Sequence, residues 1–235
     1  MIDRLLGKLE VSLLRRWPQY SISIRSRRYH QIKDDRAFLD LFARLAREER
    51  IIQTMNDAYN LYRLCPQTAQ IAGDLAELGV YRGGTARLLA AVKQHKRLRL
   101  FDTFDVFGGM PSTNPEIDKH KPGDFKEARL EEVKQLLAGC EGVSFHPGFF
   151  PDSTKPLDDP PGSYAFVHLD VDIYQSTLDG LKYFYPRLSR GGMIVSHDYR
   201  FVQCPGVKKA FDEFFADKPE RVLELWDTQC LVIKE

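Results

Sequence analysis

The stretch YAFVHLDVDIYQST (164–177) runs apolar and then places Asp170 and Asp172 two positions apart, with no lysine or arginine beside them. An isolated ionised carboxylate is costly to bury, so such groups are normally paired, hydrogen-bonded or bound to a cation. If the strand persists, its alternation sends both aspartates to one side. A second stretch, GGMIVSHDYR (191–200), ends its apolar run in His197 and Asp198. Carboxylates and an imidazole from neighbouring strand ends can converge on a divalent cation, and oxygen ligands suit Mg²⁺ or Mn²⁺. The plainer alternative is capping. Asp170 or Asp172 would bond amides at the start of the next helix, and His197-Asp198 would form a hydrogen-bonded loop corner.

A third stretch, AELGVYRGGTARLL (76–89), ends a strand in Glu77, turns through Gly79, Gly83 and Gly84, and starts a helix near Thr85. Glycines permit tight turns and close approach of a ligand, and a helix N-terminus offers free N–H groups. Asp102 ends the next apolar run, and an acid at that place in a doubly wound sheet accepts hydrogen bonds from a ribose diol. The spacing GVYRGG is not GxGxxG, and there is no GxxxxGK[ST] loop. An acid after the first strand repels a pyrophosphate but suits a cationic amino group. S-adenosylmethionine (SAM) is therefore favoured over NAD. The alternative is a glycine-rich turn with a surface acid. There is no GxSxG elbow and no zinc-type Cys/His spacing. His146 and His168 read as core histidines, and His30, His95 and His120 as solvated.

The elements that must position these residues alternate. DLAELGV, RLRLFDTF, VSFHPG, YAFVHLDV and GGMIVSHD read as strands, with GGTARLLAAVKQH, FKEARLEEVKQLLAG and QSTLDGLKYFYPRL as helices between them. This is the signature of βαβ units, an α/β doubly wound, mostly parallel sheet. A helix, GVKKAFDEFFAD, and two further runs, RVLELWD and QCLVIKE, close the chain. The two runs are expected to pair as an antiparallel hairpin, making seven strands. Residues 34–66 read as helical, and the expected organisation is an N-terminal helical extension (1–66) before a main domain (67–235). The polar segment 108–124 is long enough to be a lid.

The 235 residues carry 34 Lys+Arg against 33 Asp+Glu, a formal charge of +1, which gives no nucleic-acid signature. No run approaches the roughly 20 apolar residues of a membrane span. The N-terminus makes a poor signal peptide, and four scattered cysteines read as free thiols, so a cytoplasmic location is expected. Residues 1–28 hold seven bases and two acids around Leu6, Leu9, Leu13 and Trp17. That spacing suits an amphipathic helix packed on its own domain, on a second subunit, or on anionic lipid.

Taken in order, AELGVYRGGTARLL, LFDTFDVFGGMP, HPGFFPDS, FVHLDVDIYQSTLDGLKYFYPRLSRGGMIVSHDY and GVKKAFDEFF resemble the macrocin O-methyltransferase (TylF-type) family. These are class I SAM-dependent enzymes with a Rossmann-like fold that methylate sugar hydroxyls in macrolide, aminocoumarin and polysaccharide pathways. The resemblance implies that Glu77, Gly79 and Gly83, with Thr85, hold the methionine end of SAM. Asp102, beside Thr103, would take the ribose hydroxyls, and Gly148 and Phe149 would lie by the adenine. It makes Asp170 and Asp198 metal ligands and Asp172 the general base. The family commonly ends its fifth strand in Asp-Asp-Tyr, whereas this chain reads His197-Asp198-Tyr199, so an imidazole would join the ligands. The expected function is O-methylation of a hydroxyl on a sugar or glycosylated small molecule, assisted by Mg²⁺ or Mn²⁺. Two alternatives stand beside it: a metal-independent small-molecule methyltransferase with His197 as base, and a noncatalytic SAM-fold binding protein.

Overall fold

All six residues of YAFVHL, Tyr164–Leu169, are buried, as a strand covered on both faces must be. They form β4, the centre of a seven-stranded sheet in a computed structural model that describes Ile32, residues 34–157 and residues 159–235. The strands are β1 (Asp74–Leu78), β2 (Leu98–Asp102), β3 (Val143–Pro147), β4, β5 (Leu188–Ser196), β6 (Leu223–Glu224) and β7 (Cys230–Ile233). Their order is β3-β2-β1-β4-β5-β7-β6, with the first five parallel. β7 runs antiparallel to β5 and carries the short β6 on its outer edge, giving the expected terminal hairpin.

The register levels the strand ends. Leu78 pairs with Phe101 and with Leu169, and Leu169 pairs with Ser196. The ladder runs one residue further, since the amides of Gly79, Asp170 and His197 donate to the carbonyls of Phe101, Leu78 and Leu169. Gly79, Asp102, Asp170 and His197 therefore emerge side by side at the carboxyl edge. That edge, where the order reverses between β1 and β4, is where open α/β sheets bind ligands.

Six α-helices are described: α1 (Arg36–Arg47), α2 (Met55–Leu64), α3 (Gly84–Val92), α4 (Leu130–Leu136), α5 (Tyr174–Phe184) and α6 (Pro205–Phe214). The helical stretch expected over 34–66 is thus two helices. Thr54 sets the break, its hydroxyl accepting from the amide of Asp57 as the N-cap of α2. One apolar cluster joins Val167, Leu169 and Ile194 to Leu181, Phe184 and Phe211. The other joins Leu75, Leu100 and Phe166 to Leu61, Ala86, Leu89 and Val133.

Contacts divide the chain into Met1–Leu41 and Phe42–Glu235. Leu61 and Cys65, at the end of α2, are buried in the second cluster. In the first unit, Asp35 accepts from the amide of Phe38 as α1 begins. The basic amphipathic helix expected over residues 1–28 lies outside the described residues.

Candidate active site

A cleft of about 460 Å³ opens at the carboxyl edge. Gly79, Thr85, Asp102, Thr103, Gly148 and Phe149 line it from the β1, β2 and β3 ends, and Asp170, Asp172, His197 and Asp198 from β4 and β5. Among the sequence-derived site residues, Glu77 and Gly83 are not among its lining.

Glu77 lies fully buried beneath the cleft, with Oε1 2.8 Å from Nδ1 of the equally buried His168, its register partner on β4. Burial pushes the Glu77 carboxyl up, partly offset by the His168 hydrogen bond. The glycines also serve the protein's own packing. A Cβ on Gly79 would sit 1.8 Å from the Asp170 carbonyl oxygen, and one on Gly84 2.4 Å from that of Arg50. The chain crosses itself there.

Asp102 anchors the turns on both sides. One carboxylate oxygen accepts from the amides of Val80 (2.6 Å) and Tyr81 (2.9 Å), and the other from Phe104 (2.6 Å). Burial raises its pKa, and these backbone donors work against that. Tyr81 and Phe104 take left-handed φ of 50° and 49°, a cost that persists only where surroundings enforce it. Phe149 stays 42% exposed and meets Phe107 edge-on, which leaves aromatic surface at the mouth.

The acid cluster is built around His197. Its Nδ1 lies 3.1 Å from Asp170 Oδ1 and 3.0 Å from Asp198 Oδ2, and its Nε2 lies 3.8 Å from Asp57 Oδ2. Gln53 donates to Asp170 Oδ2 at 2.7 Å. Burial alone would lower the His197 pKa, but the charge and hydrogen bonds of Asp170, with Asp198 and Asp57, carry it well above the usual imidazole value. The imidazolium in turn overcomes burial at Asp170, whose carboxyl drops to about 2. Asp172 goes the other way: burial, then the charges of Asp170 and Asp198, push it well above the carboxylate range. Asp172 and Asp198 both adopt left-handed φ, 60° and 63°, which aspartate tolerates better than most residues.

The capping alternative does not describe this geometry. The N-cap of α5 is Ile173, with no side-chain bond of its own, and the amide of Tyr174 donates instead to Asp118 of the 108–124 segment at 2.8 Å. Asp170, His197 and Asp198 offer ligand atoms all within 4.8 Å of one another. This donor set fits a divalent cation that displaces the imidazole proton. Three buried side-chain oxygens on the described cleft lining, Gln53 Oε1, Asp57 Oδ1 and Thr228 Oγ1, have no hydrogen-bond partner. Unpaired buried acceptors call for a donor or a cation, and the ammonium and sulfonium of SAM supply such charge. The residues fit both groups.

Sequence reasoning missed several lining residues: Arg50 to Thr54 and Asp57 before β1, His120 within the lid segment and Phe125 just after it, and Asp227 and Thr228 in the β6–β7 turn. The Thr54-x-x-Asp57 capping spacing was the one available signal for the first group. His120, read as solvated, faces the cleft.

The family model for macrocin O-methyltransferase (TylF) matches residues 53–230. The chain is 33% identical over 161 residues to the demethyldecarbamoylnovobiocin O-methyltransferase of Streptomyces niveus, covering 62% of this chain and 59% of that protein. It is 34% identical over 150 residues to the 8-demethyl-8-(2,3-dimethoxy-alpha-L-rhamnosyl)-tetracenomycin-C 4'-O-methyltransferase of Streptomyces olivaceus, covering 57% and 56%. The chain thus spans less than two thirds of the length of these curated relatives. The solved O-methyltransferase NovP superposes with a TM-score of 0.61 at 27% identity, over 77% of this chain and 81% of that one. A calicheamicin methyltransferase shares the fold, with a TM-score of 0.56 at 20% identity over 98% and 90%. A family match over residues 53–230, on a sheet whose strand ends are levelled at one edge, places this chain in the macrocin O-methyltransferase (TylF) family.

Proposed function

We propose that the chain is a SAM-dependent O-methyltransferase that methylates a hydroxyl of a sugar or glycosylated small molecule, assisted by a divalent cation. The observation that carries this reading is the convergence of Asp170, Asp172, His197 and Asp198 on the same cleft as the Gly79–Asp102 turn. The relatives' names, from novobiocin to the rhamnosyl tetracenomycin, support a glycoside acceptor.

SAM supplies a methyl group on a sulfonium, open to in-line displacement by an oxygen. The protein must align that oxygen and remove its proton, and alignment alone can account for about 7–11 kcal/mol of a barrier. Asp102 and the β1 turn are placed for the nucleoside, and Gln53 and Asp57 for the cationic end. Asp170, His197 and Asp198 would hold the cation, which when bound would supply positive charge to orient and acidify a neighbouring hydroxyl. Asp172 takes the proton; burial and the charges of Asp170 and Asp198 raise its carboxyl, and a cation held beside it would offset those charges. His197 as sole base fits less well, since the carboxylates hold its proton in place.

Among the described residues no helix is long and apolar enough to cross a membrane. Cys65, Cys204 and Cys230 are buried free thiols, which supports a reducing, cytoplasmic setting. The test incubates SAM with a panel of nitrophenyl rhamnosides, fucosides, glucosides and galactosides, with and without Mg²⁺ or Mn²⁺, and weighs the products. Methylated glycoside from the wild type, falling about 10²–10⁴-fold in Asp172→Asn with SAM affinity unchanged, supports the reading. SAM binding without turnover on any glycoside, with or without metal, would return the chain to a binding role.

A further inference from the structure

The lid segment delivers a histidine to the acceptor side of the cleft. His120 Nε2 lies 3.9 Å from Asp172 Oδ1, and its Nδ1 lies 3.1 Å from Asp124 Oδ2. A carboxylate facing Nδ1 accepts, so Nδ1 carries the hydrogen and Nε2 presents its lone pair toward Asp172. Asp124 stays ionised to play this part, because the amide of Lys121 and the His120 ring hold its carboxyl below the usual range.

The ring is fixed from several sides. It packs on Phe125, with centroids 5.4 Å apart. Two residues earlier, Asp118 fastens the segment, accepting from Tyr174 N at 2.8 Å and Asn114 N at 3.0 Å. Lys119 donates to the carbonyl of Val202 on the loop before α6. Gly206 makes room for this anchor, since a Cβ there would lie 2.4 Å from Asp118 Oδ1. The titratable groups facing the ring are Asp124 from the lid, Asp172 from the β4–α5 turn and Cys204 at the start of α6.

We propose that His120, oriented by Asp124, is a second proton acceptor for the reacting hydroxyl, contributed by the lid. The inference rests on the methyltransferase reading above. A hydroxyl oxygen fits across the 3.9 Å gap, within hydrogen-bonding reach of both Asp172 and His120. The O–H bond breaks as the O–CH₃ bond forms. The S–CH₃ pair stays on sulfur, giving a neutral thioether, and the proton goes to Nε2 on this second route, as it goes to Asp172 on the first. The resulting imidazolium faces Asp124, and its side chain is 23% exposed, so it returns the proton to water.

The experiment uses the full chain, SAM and the best acceptor of the glycoside panel. His120→Ala should lower kcat by about 10²-fold, the low end for a proton-transfer group. Acceptor KM and the calorimetric Kd for SAM should stay within about twofold, and added imidazole should restore at least about tenfold of the lost rate. Asp124→Asn should lower kcat by about tenfold, with no response to imidazole. A His120→Ala enzyme with wild-type kcat, or a loss that imidazole leaves untouched while Kd for SAM holds, overturns the proposal. A wild type that methylates no glycoside instead overturns the reading on which it rests.

Discussion

Asp118→Ala isolates what the lid does for the fold. The carboxylate is buried and accepts two amide bonds, but the two ends differ. Asn114 is exposed, so water replaces the bond its amide loses. Tyr174 opens α5, where the first N–H groups have no partner inside the helix, and Asp118 caps it from another part of the chain. Losing a side-chain acceptor at a helix start costs about 1–2 kcal/mol, and the exposed end adds a few tenths. For a chain of this size each kcal/mol lowers Tm by about 2–4 °C, so the variant should melt about 2–8 °C lower. Asp118→Asn keeps one acceptor oxygen for Tyr174 and should lose well under half as much. Thermal melts measure the series, and amide exchange at Tyr174 and along 114–124 reports where the loss lies. The reasoning fails if the Asn variant is as damaged as the Ala variant, or if Tyr174 exchange does not change.

Asp102→Ala should destabilise the ligand-free protein by about 2–4 kcal/mol, because three backbone donors lose an acceptor; an unchanged melt in the absence of SAM would show that they find other partners. The pH dependence follows from His197, whose folded pKa is raised above its unfolded one of about 6.5. Its stabilisation is complete below that unfolded value and is lost as pH climbs through the raised one, so Tm of the ligand-free protein should fall on the alkaline side. Melts of His197→Gln across the same range should lack that limb. Mn²⁺ binding should release a proton, because His197 must be neutral to ligate; calorimetry in two buffers of different ionisation enthalpy reads it. Mn²⁺ should also bind more tightly than Mg²⁺, given the imidazole among the oxygens. Binding without proton release would place the cation on the aspartates alone.

The sheet and its edge were legible because burial leaves its mark on each strand. YAFVHL is apolar on both faces, and a parallel sheet gathers whatever follows each strand at one edge, so Asp102, Asp170 and His197 could be brought together unseen. Glu77 was legible as a strand-end acid but not as the partner of His168. That pairing depends on the β1–β4 register, which neither strand records alone. The wall from Arg50 to Asp57 left no periodic trace, because a close backbone crossing at Gly84 holds it over the β1 turn. His120 looked solvated for the same reason: its place follows from Asp118 capping a helix 56 residues away.

The clamp between the ends of the described unit has a consequence for the order of assembly. Gln229, fully buried beside the β6–β7 turn, donates to the carbonyl of Asp57 at 3.2 Å across 172 residues and accepts from Asn60 at 3.0 Å. Contacts that close so long a loop are made only after the intervening chain is largely ordered. A chain with β1 to β5 in place but β7 undocked would own the acidic strand ends, with the Arg50–Asp57 wall held at the Gly84 crossing but not yet clamped at Asp57. The cleft would form first and its wall would be locked only in the last step of folding. A lesion at Gln229 should then appear as a slow-setting wall on a sheet that is already built.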